Sequence, residues 1–400
     1  AANNTAVGFN ALLSNTTGAD NVGVGATSLD ANTTGSQNTA IGRGALGGNT
    51  TASNNTAVGF DALLSNTTGT QNTAVGVNAL SHETTAQNNT AVGHDCMQET
   101  TTGENNTAVG SFAFYFNTTG SNNTSMGKDA LLVNTTGTQN VALGALALDA
   151  NTTGGANVAI GESALTANTT ATNNTSIGRH SMVSNTTGTQ NVAVGTNALD
   201  ANTTANNNTA VGYNALTENT TGASNTAVGV EALKLLTTGQ RNTAIGVNTG
   251  NAVTTGSDNV LIGRDAGLST SPSGDITTQT GQVCIGDNQV TNAFIKVAFT
   301  VTSDQRDKIE DGVVSHGLDF VNQLKPKSFW FRKNRDSNEK TGDKRYGFYA
   351  QDILALEGSD SVVIDSKDSD NLKFKGDQLV PILVNAIKEL SAKVTALEAG

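Results

Sequence analysis

The sequence has little charge, few aromatic residues, three prolines and two cysteines. Charged residues make up 14% of the 400 residues and aromatic residues 4%, which is too sparse for an ordinary enzyme over most of the length. No apolar run has the length of a membrane-spanning helix and no signal peptide is recognisable, so we expect no membrane insertion. Disorder is also disfavoured, because disordered segments lack the hydrophobic periodicity that this chain shows.

The scarce cysteines and histidines give no sign of a metal or redox site. Cys96 and Cys284 stand at positions where related stretches of the chain have alanine, so we expect two small buried thiols. The four histidines show no ligand spacing: His82, His94, His180 and His316. No nucleophile elbow or phosphate loop stands out either. We expect no metal and no cofactor.

The net charge of −12 is distributed unevenly. Residues 1–302 contain 7 Lys/Arg and 17 Asp/Glu, whereas residues 303–400 contain 15 and 17. The first part therefore has a sparsely charged, acidic surface that is unsuited to phosphate backbones, and we expect no nucleic-acid partner. The second part has the charge density of a conventional globular domain.

What the chain has in abundance is a repeat. A glycine recurs every 17 residues, sixteen times without an insertion, from Gly8 to Gly263. Asparagine stands four residues before each of these glycines, and in fourteen of the sixteen repeats a large apolar residue, mostly leucine, stands four residues after. A fixed period of this length predicts stacked coils, and proline is absent from all sixteen repeats, as continuous β ladders require.

Each 17-residue coil is predicted to contain a short strand, a corner, a second short strand and another corner. We expect the β-branched strand face to fill the coil's core and the Ala/Gly face to meet neighbouring chains. The asparagines either form a ladder between coils or hold left-handed corners, and the two are compatible. Sixteen coils predict a rod of roughly 77 Å at about 4.8 Å per coil.

The repeat region is assigned to residues 1–267, and its period breaks in residues 268–302. That stretch contains an insertion (269–274), a last coil and connecting strands. Residues 303–400 are a separate domain, in which 379–400 form a helix with a heptad seam. The seam predicts a coiled coil, and the alternative is an amphipathic helix on its own domain. The chain starts inside a repeat, so we expect further sequence before residue 1.

Several motifs in order carry a family resemblance. They are "SDQRDKIED" (303–311), "LKPKSFWFR" (324–332), "YGFYAQDI" (346–353) and the terminal heptads. This quarter of the chain resembles the intramolecular chaperone of bacteriophage tailspikes and tail fibres, the endosialidase type known as peptidase S74. The resemblance implies a trimeric β shaft, an α+β chaperone domain ending in a trimeric coiled coil, and self-cleavage after folding. The shaft is also similar to the heads of trimeric autotransporter adhesins, which have a shorter period.

The family's residues match individual positions here. Its catalytic serine and lysine match Ser303 and Lys308, with Asp304 and Arg306 in supporting positions. Cleavage is expected next to Ser303, favouring the Thr302–Ser303 bond. A serine hydroxyl needs a base, and a desolvated lysine amine can serve. Residues five positions apart do not lie on the same face of a helix, so a bend or a second subunit must bring the pair together. The alternative is a Ser-Asp helix cap with a solvated lysine.

Three aromatic residues of one repeat, Phe112, Tyr115 and Phe116, stand at positions that are mostly polar in the other repeats. They are candidate receptor contacts, or a packing patch against a neighbouring chain. The resulting interpretation is a phage tail-fibre shaft, made in the host cytoplasm and carried on the virion tail. Its expected partners are two further copies, virion tail proteins on the N-terminal side, and a host glycan or protein receptor. The alternatives are an ice- or surface-binding adhesin and the shaft of a glycan-degrading tailspike whose catalytic domain precedes residue 1.

Overall fold

The computed structural model describes residues 2–290, 303, 305–332, 337–358, 361–366, 369 and 372–399. The chain divides into two compact units, Ala1–Asp287 and Asn288–Gly400. Each unit has a hydrophobic core of its own.

The first unit is a parallel β-solenoid. Seventeen strands of three residues form one sheet, in which each strand pairs in register with the equivalent strand of the next coil, Thr5 opposite Val22 for example. The coils close within one chain, so each chain forms a solenoid of its own, and the mainly-β prediction is confirmed. The strands are β1 Thr5–Val7, β2 Val22–Val24, β3 Thr39–Ile41, β4 Thr56–Val58, β5 Thr73–Val75, β6 Thr90–Val92, β7 Thr107–Val109, β8 Thr124–Met126, β9 Val141–Leu143, β10 Val158–Ile160, β11 Thr175–Ile177, β12 Val192–Val194, β13 Thr209–Val211, β14 Thr226–Val228, β15 Thr243–Ile245, β16 Val260–Ile262 and β17 Val283–Ile285.

The predicted second strand of each coil is wrong, because a turn replaces it. In the first coil Asn10 and Leu12 have φ angles of 58° and 56°, in the left-handed region. The peptide N–H of Leu12 still donates to the carbonyl of Ser28 in the next coil at 3.0 Å. Because residues in the left-handed region alternate with residues outside it, the turn forms hydrogen bonds to the next coil without being a pleated strand. Asn and Asp favour the left-handed conformation at the first of the two positions, which Asn10 occupies in this coil.

The two faces of the strands are the reverse of those expected. The small middle residue of a strand, such as Ala159, is fully buried and belongs to the same core as the leucine column, including Leu148 and Leu165. The flanking β-branched residues, such as Val158 and Ile160, are half-buried and point outward. A coil of 17 residues leaves so little interior volume that only a small side chain fits opposite a leucine.

The invariant glycine follows each strand, where successive coils approach most closely. Gly59 has a φ angle of 145°, which side chains rarely adopt. A Cβ atom there would lie 2.2 Å from the carbonyl oxygen of Gly76 in the next coil. The 17-residue spacing of glycine therefore follows from the stacking of backbone on backbone.

The invariant asparagine forms the ladder that was one of the two explanations for its column. Asn157 donates its side-chain amide to the carbonyl of Ala171 at 2.9 Å. Its Oδ1 accepts the backbone N–H of Asn174, one coil later, at 3.0 Å. The left-handed conformation belongs to Asn173, the residue just before Asn174, whose φ angle is 61°. Each amide thus satisfies buried backbone groups of its own coil and of the next.

A second buried asparagine column precedes the "TTG" corner, with direct amide-to-amide bonds. Asn168 Nδ2 donates to Asn151 Oδ1 at 2.8 Å. Glu83 occupies the same column and is fully buried. Its Oε1 accepts a hydrogen bond from Asn72 at 2.8 Å, whereas its Oε2 has no partner. Burial raises the pKa of Glu83 to about 8, so this carboxyl is mainly neutral at pH 7.

The insertion after Gly263 leaves the stack intact. Strand β17 pairs with β16 although 23 residues separate Gly263 from Gly286. The N–H of Gly286 donates to the carbonyl of Ile262 at 2.7 Å, and Ile276 is buried in the shaft core. Of the connecting strand expected over 292–303, all residues except Ser303 lie outside the described residues.

Both cysteines are buried and free, as expected. Cys96 replaces a core alanine and its thiol lies 3.4 Å from the carbonyl oxygen of Ala108. Burial raises the pKa of the Cys96 thiol to about 12, so this side chain behaves as a small apolar group.

The second unit combines short helices with two antiparallel β pairs. Its elements are α1 Leu318–Gln323, β18 Lys327–Arg332, β19 Lys340–Gly347, α2 Ala350–Glu357, β20 Ile364–Asp365, β21 Lys373–Phe374 and α3 Leu379–Glu398. Strand β18 pairs with β19, and β20 pairs with β21. The helix predicted over 379–400 is confirmed as α3, and Pro381 lies in its first turn, where it removes no helical hydrogen bond.

Candidate functional site

The candidate site lies at the start of the second unit. Ser303 is described, its neighbours Thr302 and Asp304 lie outside the described residues, and a 3-10 turn follows over Gln305–Asp307. The N–H of Lys308 donates to the carbonyl of Gln305 at 3.1 Å, which closes this turn. The turn reverses the chain direction and brings position 308 back towards position 303.

Lys308 donates to Ser303 across the turn. The distance from Lys308 Nζ to Ser303 Oγ is 2.5 Å. Of the two routes that the sequence left open, a bend or a second subunit, the bend is the one observed. Arg306 lies in the same turn, with an exposed side chain. The catalytic roles of Ser303, Lys308 and the supporting residues remain predictions.

The surroundings of the pair are open in the single chain. Ser303 and Lys308 are both exposed, and so are the apolar side chains of Ile309 and Val313, at 98% and 94%. A lysine acts as a base only as a neutral amine, which burial favours. The geometry therefore supplies the contact between nucleophile and amine, whereas the burial must come from another surface.

Helix α3 has two apolar faces. Leu379, Ile382 and Ala386 are buried in the core of their own unit, together with Phe320 and Ile353. The predicted heptad seam consists of different residues, and all six are exposed: Val380, Leu383, Ile387, Leu390, Val394 and Leu397. The helix thus packs on its own unit, as the alternative of an amphipathic helix predicted. The residues of the heptad seam take no part in that packing and stay exposed. The trimeric coiled coil remains a prediction.

Polar contacts attach α3 to the segment before α1. The carboxylate of Glu389 accepts the N–H of Leu318 at 2.8 Å, at the start of α1. The amide of Asn385 donates to the carbonyl of His316 at 3.0 Å. These contacts connect residues about 70 positions apart, so the fold of the segment that follows the Ser303–Lys308 turn depends on α3.

The structure brings the three aromatic residues of the shaft together. The ring centroids of Phe112 and Tyr115 are 5.7 Å apart, and those of Tyr115 and Phe116 are 4.5 Å apart. Phe116 is 45% exposed, and the rings line a shallow groove with Asp129 and Leu132. Partial burial and the negative charges of nearby acidic residues raise the pKa of the Tyr115 hydroxyl. The receptor role of this patch remains a prediction.

A regular threonine corner has contacts that the sequence interpretation did not predict. Two adjacent threonines follow the second asparagine column in every coil from Thr16–Thr17 to Thr254–Thr255, and again at Thr277–Thr278. The first hydroxyl donates to the next coil, Thr135 to the carbonyl of Thr152 at 3.1 Å for example. The second threonine is exposed, and in the described coils its hydroxyl makes no protein hydrogen bond. The unbroken "TT" column was the signal.

Across the described ranges, no three His, Cys, Asp or Glu side chains are grouped closely enough to hold a metal ion. No helix in the described part of the chain combines the length and the apolar character needed to cross a membrane.

Comparisons with known proteins agree with the resemblance of the C-terminal motifs. Residues 303–362 match the peptidase S74 family model, described as the chaperone of endosialidase. The match begins at Ser303 and contains the 3-10 turn, the β18–β19 pair and α2. Neither the search of curated proteins nor the search of solved structures found a match. The chain thus combines a β-solenoid shaft with a segment similar to the chaperone of endosialidase, and this combination fits a tail fibre of the endosialidase type.

Proposed function

We propose that this chain is the shaft of a phage tail fibre, together with the intramolecular chaperone that aligns the shaft and then releases itself. Every coil resembles its neighbours, so local contacts do not distinguish the correct register of neighbouring chains from a slip of one coil. A trimeric nucleus at one end would set the register for three chains, and stacking would extend from it. The match of residues 303–362, on the C-terminal side of the shaft, to the chaperone of endosialidase supports the chaperone role.

The observation that carries self-cleavage is the contact between Ser303 Oγ and Lys308 Nζ. Attack by Oγ on the carbonyl of Thr302 would transfer the acyl group from nitrogen to oxygen and free the amine of Ser303. Hydrolysis of the resulting ester by water would then separate the shaft from the chaperone. The base must be a neutral lysine, so we expect cleavage only after neighbouring copies bury the exposed apolar surface around the pair.

The test is the denaturing mass of the freshly purified chain beside four variants. Wild type should give two fragments that meet at residues 302–304, and Ser303→Ala and Lys308→Ala should stay intact at 40.7 kDa. Ser315→Ala and Lys325→Ala remove an exposed serine and an exposed lysine from the same matched segment and should cleave like wild type. An intact wild type, or cleavage of Ser303→Ala, would overturn the self-cleavage proposal.

Host adsorption is proposed for the patch of Phe112, Tyr115 and Phe116. The surface of the shaft is otherwise poor in aromatic residues. The exposed rings of this patch offer faces on which a sugar ring or an apolar side chain can stack. Adsorption to host cells of the purified shaft should fall for Phe116→Ser. Phe60→Ser, which removes an exposed ring from another coil, is the control and should bind like wild type.

A second candidate function, ice binding, is favoured by the threonine corner. The corner threonines never vary, and valine at the first strand position is only partly buried, as Val192 is. Thermal hysteresis of the purified chain tests this candidate. Thr136→Lys with Thr153→Lys should reduce the hysteresis, whereas Thr138→Lys with Thr172→Lys, in a variable column, should not. Absence of hysteresis in the wild type would discard this function.

A further inference from the structure

The outward side of the strand ladder is an uncharged strip of apolar residues and threonine. The strip, called here the strand face, consists of the first and third residues of β1–β17. The first residue is always Thr or Val, and the third is Val, Ile, Leu or Met. None of the shaft's Asp, Glu, Lys or Arg residues in the range 2–290 lies in a strand. The charged side chains of the shaft therefore lie on its turns and corners.

The strand face is accessible along the shaft. Its residues are half-buried by the equivalent residues of the coils above and below, and several are more open. Ile41 is 42% exposed, Ile245 is 44% exposed, and Ile285 in the last coil is 64% exposed. An uncharged strip whose third-residue column is apolar in all seventeen strands is unusual on a monomer and is typical of a protein interface.

We propose that the strand face binds the strand faces of two further copies, parallel and coil against coil, at the centre of the homotrimer. This inference rests on the homotrimer of the proposed function and adds the surface that forms it. Seventeen strands about 4.8 Å apart, with a strip roughly 10 Å wide, offer about 800 Å² per chain. That area is about the size of one side of a standard stable interface.

The occupant is a copy of this chain because the strip repeats with every coil. A bound partner must present apolar groups at the same spacing over the whole length, and a parallel copy does so by construction. Three-fold symmetry then brings the same residue of each chain towards one axis. Since the strand face is nearly the same in every coil, a slipped pairing would bury similar area. The register must therefore be set elsewhere, which is the role proposed for the chaperone.

Disulfide trapping in the full-length chain tests the proposal. The background carries Cys96→Ala and Cys284→Ala, which restore the alanine of the other coils. Thr209→Cys and Val211→Cys place one thiol each on the strand face, and Thr221→Cys places it on the exposed corner. Under mild oxidation, at least one strand-face variant should form disulfide-linked dimers, and the corner variant should not.

Register is read by mixing chains. Val211→Cys coexpressed with a tagged Ile245→Cys chain should give no mixed disulfide, because two coils, about 10 Å, exceed the reach of the bond. Native mass measured in parallel separates the possible failures. A trimer without cross-links at either strand position overturns the strand face and leaves the fibre function standing. A monomer overturns both this inference and the proposed homotrimer, and cross-linking of the corner variant to the same extent overturns the strand face.

Discussion

The side-chain oxygen of Asn157 accepts the backbone N–H of Asn174, the equivalent residue of the next coil, at 3.0 Å. The same amide donates to the carbonyl of Ala171 at 2.9 Å. A single buried side chain therefore joins two coils and also closes the corner of the coil to which it belongs. The shaft is held together by this relationship, repeated with small variations along the described coils.

Asn174→Asp should destabilise the shaft by at least ~2 kcal/mol at pH 7. The carboxylate loses the bond to the carbonyl of Gly188, which is 2.8 Å long, and is placed against that buried oxygen instead. The control is the adjacent Asn173→Asp, on the exposed left-handed position where other coils have Asp20 and Asp258. Urea unfolding followed by circular dichroism measures both. Equal midpoints for the two variants would contradict the ladder.

Glu83 should make shaft stability fall as pH rises. Its pKa in the folded chain, about 8, lies above the ordinary value of 4.5 for a glutamate side chain. Between these values only the unfolded chain releases the proton, so stability decreases by up to ~1.4 kcal/mol per pH unit and levels off above about pH 8. Glu83→Gln should abolish this decrease, and Glu218→Gln, at an exposed acid, should retain it. The measurement is the urea midpoint from pH 5 to 9, and parallel curves for wild type and Glu83→Gln would disprove the assignment.

Two phenylalanines two residues apart should respond oppositely to truncation. Phe114 is fully buried in the leucine column, so Phe114→Ala should reduce stability by about 3–5 kcal/mol. Phe116 is 45% exposed, so Phe116→Ala should change stability by less than about 1 kcal/mol. Thermal unfolding of both variants distinguishes them. A large loss for Phe116→Ala would mean that the patch is part of the packing and is not a free surface.

The period, the asparagine ladder and the leucine column were predictable because each depends on a residue type that recurs at one position. It was not predictable which face of the strands lies in the core. The alternation of residue types along a strand such as "TAV" shows that its two faces differ, but it does not say which face is inside. The interior volume of the coil decides, and Ala159 rather than Val158 fits opposite the leucines. The left-handed conformation of residues such as Leu12 also has no signal in a single residue type.

At the candidate site the sequence indicated the residue types and the need for a bend. The motif supplied Ser303 and Lys308, and their spacing excluded a shared helix face. The 3-10 turn that connects them depends on local backbone geometry, which the spacing alone does not specify. The exposure of the pair depends on the fold around it, and only the structure shows that a single chain leaves it open.

Alignment of the shaft by the C-terminal unit is tested by comparing shaft released from the full-length chain with residues 1–302 produced alone, by native mass and thermal unfolding. The released shaft should be a uniform trimer with a high unfolding temperature, trapped in the correct register. The shaft produced alone should aggregate or form mixed registers that unfold at lower temperature. Identical mass and unfolding temperature for the two preparations would mean that the C-terminal unit does not align the shaft.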